Sequence, residues 1–581
     1  PVAERAREVM AFHGRWIREF QPHRLTLEHD SFVLENRRGR TSHEHFPALI
    51  TGSRAFSEMQ GEVWGVHLAW SGNHRLRAEV KTDGRRYLQA EALYLPGEMA
   101  LAEGETLWTP YLYASYSANG LNGMSQQFHR YLRERIIRFP GNKPRPVHLN
   151  TWEGIYFDHD PDYIMRMADE AAALGVERFI IDDGWFKGRN DDWAALGDWY
   201  LDEKKYPYGL TPVIDHVKSL GMEFGIWVEP EMVNVDSRLY ERHPDWTIEI
   251  PGHAHSEGRN QRILDLTQTS VQDFIIAKMS EVFSSADISY VKWDMNRTFT
   301  DYYSRALPAG RQGEVAHRYV MGLYRCMKEL TERFPEILFE GCSAGGNRFD
   351  LGILSYFPQI WASDDTDALC RAEIQNGYSY GYPMSVVSAH VSSCPNHQTL
   401  RVTPLETRFH VAAFGLCGYE CNLGDMKEEE RAAVKAQIAL YKEWRDVLQW
   451  GSFYRGRSFY DGKGDASCLM QLPGNQMEWT CVSADQTRAV GMLMQKLAVP
   501  NTQFHYYKPK GLAPEYRYHF YNRALKYNVK EFGDLVNTIA PVHIRQDSLV
   551  HNVVAKFVKL DGETEDYYAF GDALMYGGVR L

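Results

Sequence analysis

The octet Tyr290-Val-Lys-Trp-Asp-Met-Asn-Arg297 starts as an apolar strand and stops in Lys292, Asp294, Asn296 and Arg297. A strand meant only for packing does not end in clustered charge. A second element of this kind, Gln359-Ile-Trp-Ala-Ser-Asp-Asp-Thr-Asp367, follows later in the chain. Two aspartate-bearing strand ends suggest a pair of catalytic carboxylates. Lys292 is two residues from Asp294 and so shares its face of an extended strand. There it keeps the carboxylate ionised and can donate to a hydroxyl.

Such ends need a scaffold. From residue 146 to about 425, apolar strand, polar end and helix alternate. The strand candidates are 147–152, 179–185, 224–232, 290–297, 337–342, 359–365, 385–391 and 414–422. Most are apolar on both faces, as parallel strands covered by helices are. Tyr163–Leu174 reads as a helix with Gly175 as its stop. Thr211-Pro212 opens another, and Val315–Arg333 is a third. Eight such units predict a (β/α)8 barrel. The interval between Ile337 and Gln359 is short for a full helix, which leaves a doubly wound sheet as the alternative.

Residues 23–114 read instead as strands and turns, with Asp83-Gly84 a hairpin signal. Met124–Arg138 looks helical, and Pro140–Pro146 reads as a linker. After a helical stretch at Glu428–Arg445, Met477–Val482, Arg488–Met494 and Tyr516–Tyr521 predict an antiparallel β domain. The expected organisation is an N-terminal β-sandwich portion with a connecting helix over 1–145, a catalytic barrel over 146–452 and a C-terminal antiparallel β domain over 453–581.

Composition narrows the function. The chain has 581 residues, too many for one core, and its net charge of −12 argues against nucleic acid as the main partner. With no apolar run of about 18 residues, a membrane span is not expected. The N-terminus, Pro1-Val-Ala-Glu-Arg-Ala-Arg7, has no signal-peptide core and no initiator Met, as in a processed chain or a fragment. The eight cysteines form no CxxC pair and begin only at Cys326, which fits reduced thiols in a cytoplasm. Aromatics make up 13% of the chain, which fits either large β cores or rings that stack on sugars.

In a β/α barrel the site lies at the C-terminal ends of the strands. Those ends carry Trp152; Asp182, Asp183 and Trp185; Trp227, Glu229 and Glu231; Lys292, Asp294 and Asn296; Cys342 and Ser343; Trp361, Asp364, Asp365 and Asp367; and His390. A lone strand-end aspartate is more often a helix cap, and Asp365 or Asp367 fits that role. Successive strands ending in carboxylates and tryptophans carry more desolvation cost than a purely structural barrel needs. Two chemistries use such a site. A divalent-metal enzyme would gather the acids around an ion. A glycosidase would use two of them on a sugar held by aromatics and hydrogen bonds. The tryptophans and Lys292 favour the sugar, with no cofactor and no metal.

Lys292–Arg297, Gly341-Cys-Ser-Ala-Gly-Gly-Asn-Arg-Phe-Asp350 and Trp361–Asp367 resemble the signatures of glycoside hydrolase family 36, the microbial α-galactosidases. Arg38–His43, Ala389–Ser392, Arg401–Arg408 and Gly571–Met575 are similar too, so the resemblance spans nearly the whole chain. It implies a β-sandwich, a catalytic (β/α)8 barrel and a C-terminal antiparallel β domain. It implies a retaining exo-α-galactosidase that removes terminal α-1,6-galactose from raffinose- or melibiose-type oligosaccharides. Asp294 would be the nucleophile and Asp364 the general acid/base, about 5–5.5 Å apart. Asp182 and Asp183, with Trp152, would bind O4 and O6 of galactose. Trp227 and Arg259 would complete the subsite, while Lys292, Asn296, Cys342 and Ala344 would line O2 and O3. Trp361 would border the same pocket.

Residues 1–145 are fewer than this family's usual N-terminal region, which leaves a homo-oligomer open. The family's Gly-rich run after Cys342-Ser343 carries Ala344 and Asn347 here. The Ala344 methyl would leave less room for a 2-acetamido group. An α-N-acetylgalactosaminidase or a galactosyltransferase on the same scaffold, and a sugar-binding protein without catalysis, are the other readings.

Overall fold

The computed structural model describes residues 1–139, 143–460, 474–497, 506–523 and 565–580, with Leu549 and Val553 as isolated positions. Part of the expected linker Pro140–Pro146 and Cys468 lie outside the described residues.

The chain opens as an antiparallel sandwich. Strands β1 (Glu8–Arg15), β2 (Arg18–Thr26), β4 (Ala48–Gly52), β5 (Val63–Leu68) and β8 (Leu112–Ser117) form one sheet in the order β2-β1-β4-β5-β8. Strands β3 (Asp30–Asn36), β6 (His74–Val80) and β7 (Arg86–Ala92) form the other. Period-two alternation points Val9, Ala11, Leu49 and Val66 from the first sheet at Leu34, Leu76 and Ala78 from the second. Burying each such Leu or Val contributes about 1.5–3 kcal/mol. The β6–β7 hairpin turns at Gly84, φ +85°, as the Asp-Gly pair predicts.

Strand structure begins at Glu8, earlier than the position 23 expected from patterning. Strands β1 and β2 are joined by the two-residue turn Trp16-Ile17, with Arg15 opposite Arg18. The expected helix at Met124–Arg138 is an α-helix over Gly120–Tyr131 followed by a π-helical turn over Leu132–Ile136.

The barrel is closed and parallel. Its strands are β9 (His148–Asn150), β10 (Arg178–Ile181), β11 (Glu223–Val228), β14 (Tyr290–Trp293), β15 (Leu338–Gly341), β16 (Gln359–Trp361), β17 (Val387–Ser392) and β18 (Leu416–Glu420). Strand β18 pairs back onto β9 and closes the ring, which excludes the doubly wound alternative. Between β11 and β14 a small hairpin, β12 (Met232–Asn234) and β13 (Gln261–Ile263), stands outside the ring. The short interval after Ile337 is bridged by the single turn Leu351–Leu354 capped by Asp350, so one helical turn replaces a full helix. Helices Pro161–Leu174 and Val315–Arg333 match the expected segments, and Gly175 stops the first at φ +100°. Helices Thr269–Ser284, Ala368–Tyr378 and Leu405–Ala413 were not expected individually. The sandwich and barrel belong to one compact unit, residues 1–449.

The second unit, from Trp450 on, is antiparallel throughout its described sheets. Ser452–Arg455, Gln476–Val482 and Ala489–Gln495 form three strands, and Arg517–Tyr521 pairs with Asp566–Phe570.

Candidate active site

Parallel register brings the strand ends together. Trp227 lies opposite Lys292, and Trp293 opposite Gly341, so the polar residues that follow each strand converge on one side of the ring. Alternation along β14 sends Lys292 and Asp294 to this side. Trp293 faces the other way, fully buried, with its indole N–H 2.8 Å from Glu231.

Asp294 sits under a cluster of donors. Its Oδ1 accepts the backbone N–H groups of Met295 (2.8 Å) and Ala344 (3.3 Å). Its Oδ2 accepts the Asn296 amide (2.8 Å) and the Trp227 indole (3.3 Å). Burial alone would raise its pKa. The Lys292 ammonium, the Cys342 thiol, Asn296 and the Met295 N–H overcome burial and hold Asp294 below the ordinary carboxylate range.

Asp364 is pushed the other way. Burial raises its pKa first and the charge of Asp294 adds to that, against weaker opposition from Trp16, Lys292 and Trp361. Its Oδ1 accepts the Trp361 indole (3.1 Å) and its Oδ2 the Trp16 indole (2.9 Å). Two carboxyls whose surroundings drive their pKa values apart are arranged for one to work ionised and the other protonated.

Lys292 is buried and donates to Asp182 Oδ2 at 2.9 Å. Burial pulls its pKa down, but the Asp182 carboxylate and further negative neighbours hold the ammonium well above its usual value. Asp182 also accepts Asn150 Nδ2 (2.7 Å) and the Asp183 N–H (2.9 Å). Asp183 is raised by burial, with Arg189 opposing through a bidentate fork at 2.9 and 2.7 Å. Cys342 is raised by burial and by the charges of Asp294 and Asp364, so it stays a thiol beside both.

The remaining expected residues fall in different places. Trp152 is half-buried at the start of the short helix Trp152–Ile155. Trp361 is almost wholly buried, its ring 4.3 Å from that of His390 with the Arg371 guanidinium 4.4 Å from its centre. It therefore meets Asp364 through its N–H while its faces are covered. Arg259 is exposed, with backbone φ +56°, and its nearest carboxylate is Asp192 at 3.9 Å. Its charge reaches Glu229. Ala344 adopts φ +48°, a left-handed conformation that suits glycine better. Glu231 is spent on structure, held by both Arg348 nitrogens at 2.9 and 2.8 Å and by the Tyr319 hydroxyl at 2.6 Å. Asp367 is a helix cap, accepting the N–H groups of Leu369 and Cys370.

Sequence reading missed the sandwich's contribution. Besides Trp16, Arg40 donates to the Met295 carbonyl and His43 Nε2 donates to the Ala344 carbonyl at 2.6 Å. Burial and the charge of Arg40 lower His43 to about 3, so its ring is neutral. The only sequence signal was the motif Arg38–His43, which carried no role. Nothing near Trp16 announced a site 348 residues away.

Among the described residues, no three His, Cys, Asp or Glu side chains are placed to hold one metal ion. The carboxylates are matched instead to Lys292, Arg189, Arg348 and N–H donors. Nor is any described helix long and apolar enough to cross a membrane.

Known proteins resemble the chain along most of its length. Residues 106–451 match the melibiase family, and residues 1–102 and 476–581 match the N-terminal and C-terminal domains of glycosyl hydrolase family 36. An alpha-galactosidase of Escherichia coli is 54% identical over 89% of this chain and 70% of its own length. Alpha-galactosidase AgaA of Geobacillus stearothermophilus is 44% identical over 86% of this chain and 67% of its own. The crystal structure of AgaA superposes with a TM-score of 0.87 over 99% of this chain and 73% of that one, at 40% identity. A variant of AgaA solved with raffinose gives the same TM-score at 39% identity, over 99% of this chain and 73% of that one. Fold and site together define a glycoside hydrolase. The chain belongs to the melibiases, glycosyl hydrolase family 36.

Proposed function

We propose that the protein is a retaining exo-α-galactosidase that removes terminal α-1,6-linked galactose from raffinose-type oligosaccharides. The observation that carries this reading is the opposed setting of Asp294 and Asp364: N–H donors and Lys292 lower the first, while burial and the charge of the first raise the second. The substrate class is drawn from the relatives, which are named alpha-galactosidases, and from AgaA variants solved with raffinose and with stachyose.

In the first step an Asp294 oxygen attacks the anomeric carbon while the glycosidic C–O bond breaks. Asp364 gives its proton to the departing oxygen. In the second step Asp364, now ionised, takes a proton from water. The water oxygen attacks the same carbon and Asp294 leaves. Two inversions return the α configuration. The Asp294 donors stay in place when its charge is shared with the sugar, so little reorganisation accompanies bond formation.

Galactose is held by hydroxyl contacts around this axis. Asp182 and Asp183 accept from O4 and O6 through lone pairs left after Lys292 and Arg189 are served, and Trp152 covers that end. Lys292, Asn296, Cys342 and the Ala344 backbone address O2 and O3. Trp227, Arg259 and Trp361 border the pocket. No metal or cofactor takes part. The protein acts in the cytoplasm on small oligosaccharides.

The test is the anomer first released from an aryl α-galactoside, followed by proton NMR. α-Galactose appearing before mutarotation supports the double displacement; β-galactose first would remove Asp294 from the nucleophile role.

A further inference from the structure

Glu19 takes no part in the proposed chemistry, yet it lies beside the Gly345 turn and Ser363-Asp364. It belongs to β2, three residues after Trp16, and is 0% exposed. Neither of its oxygens meets a partner in hydrogen-bond geometry. The His43 ring nitrogen is 3.5 Å from Oε1 and is already committed to the Ala344 carbonyl. A buried carboxyl with neither ion pair nor full hydrogen bonding is costly, and an apolar side chain would fill the space at less cost.

Its surroundings give it a use. A methyl group added at Gly345 would lie 3.0 Å from Glu19 Oε1, 2.8 Å from the Asp364 backbone nitrogen and 3.0 Å from Ser363 Cα. Two loops therefore touch where the Glu19 carboxyl is lodged. One is the turn 343–346, which donates the Ala344 N–H to Asp294. The other is Ser363-Asp364, which carries the second carboxyl. The hairpin that delivers Glu19 is itself strained, with Ile17 at φ +61° and Phe20 at φ +53°. It is pinned on the far side by Phe20 against Tyr378, ring centres 4.2 Å apart, in the helix that follows Asp364.

We propose that Glu19 is a positioning residue, wedged between the Ala344–Gly345 turn and Ser363-Asp364, that fixes where the acid/base carboxyl stands relative to Asp294. The inference rests on the roles of Asp294 and Asp364 given under the proposed function. Burial pushes Glu19 up to about 8. The Ser363 hydroxyl and the Arg371 charge oppose this, and the Asp364 charge adds to it. The neutral His43 and the Tyr378 phenol are further ionisable neighbours. At neutral pH Glu19 is thus a neutral acid able to donate a hydrogen bond, so glutamine is its conservative replacement.

The experiment compares Glu19→Gln, Glu19→Asp and Glu19→Ala on two substrates. One is raffinose, whose leaving group needs protonation; the other is an aryl α-galactoside with a highly acidic phenol, which does not. A misplaced acid should depress kcat/KM for raffinose at least tenfold more than for the aryl substrate in Glu19→Ala. Glu19→Asp should show the same bias in smaller measure, and Glu19→Gln should stay within about threefold of wild type on both. If Glu19→Ala does not fold, the bias in Glu19→Asp decides. Equal losses on both substrates, or a Glu19→Gln variant as impaired on raffinose as the alanine or aspartate variant, overturn the proposal. Asp364→Ala is run alongside. If its own losses are equal across the two leaving groups, the acid/base assignment of Asp364 fails, whatever Glu19 does.

Discussion

The indole N–H of Trp16, in the sandwich, donates to Asp364 Oδ2 in the barrel at 2.9 Å. The acid/base candidate is therefore completed by the N-terminal domain. That hydrogen bond favours the ionised carboxylate and opposes the upward push of burial and Asp294. The proposed reaction needs Asp294 ionised and Asp364 protonated, so kcat/KM should be bell-shaped, rising as Asp294 loses its proton and falling as Asp364 loses its own. Trp16→Phe removes the N–H and keeps a ring. Asp364 then holds its proton to higher pH, and the falling limb moves upward. A hydrogen bond to a charged group is worth about 1.5–3 kcal/mol, so a loss on the order of tenfold at the optimum is expected as well. A pH–rate series on both proteins checks the direction; a downward shift would contradict it.

Asp294 accepts four N–H donors. Removing the carboxylate empties the position from which the proposed attack occurs. Asp294→Ala should lower turnover of an aryl α-galactoside by about 10⁴-fold or more, as loss of a nucleophile does. Added azide fits the vacated space and should restore a rate, with β-galactosyl azide as the product. Recovery of the α-azide, or no azide effect with the fold intact, would count against attack by this residue.

Much of this was legible from sequence, for definable reasons. Barrel strands are short, apolar and covered on both faces, so the eight segments stood out, and the polar residues at their ends had no packing role to hide behind. Asp294, Lys292 and Asp364 were readable as candidates because each lies within a few positions of its strand. What escaped was non-local. Trp16, Glu19 and His43 reach the site through docking of the sandwich on the barrel, and a hairpin tip carries no local mark of what it touches. Glu231 looked like a site acid because its partner Arg348 is 117 residues on. Trp361 was legible as a strand-end tryptophan, but sequence does not reveal that Arg371 and His390 lie against its ring.

The carboxylates of this site are balanced by Lys292, Arg189 and Arg348. A divalent ion would have to displace these cations. Turnover of an aryl α-galactoside should therefore be unchanged by excess EDTA and by added Mg2+ or Mn2+. A loss with chelator that a particular metal reverses would revive the metal reading of the strand ends.

Ala344 joins backbone strain to specificity. At φ +48° an alanine costs about 1–2 kcal/mol relative to glycine, while its N–H serves Asp294. Ala344→Gly should relieve that strain and leave the N–H in place. If the methyl borders C2 of the sugar, the variant gains room for a 2-acetamido group. Rates on paired aryl α-galactoside and α-N-acetylgalactosaminide should show the ratio moving toward the acetamido sugar by several-fold. An unchanged ratio would place the methyl away from C2.

Glu231 and Arg348 test the support beneath the site. Both are almost fully excluded from solvent, side chains 0% and 4% exposed, and their bidentate contact is backed by Trp293 and Tyr319. Breaking one side of such a pair leaves an uncompensated buried charge, which costs about 3–5 kcal/mol. Arg348→Met should therefore lower the urea midpoint of the barrel clearly. Glu231→Gln keeps one acceptor oxygen where the carboxylate had two and leaves the Arg348 charge without its partner, so it should lower the midpoint as well. Because Trp293 precedes Asp294, the same loss should loosen the nucleophile's strand, so kcat is expected to fall in both variants at temperatures where each is still folded. A stable, fully active Arg348→Met protein would show that the pair is dispensable and that the β14 backbone alone sets the position of Asp294.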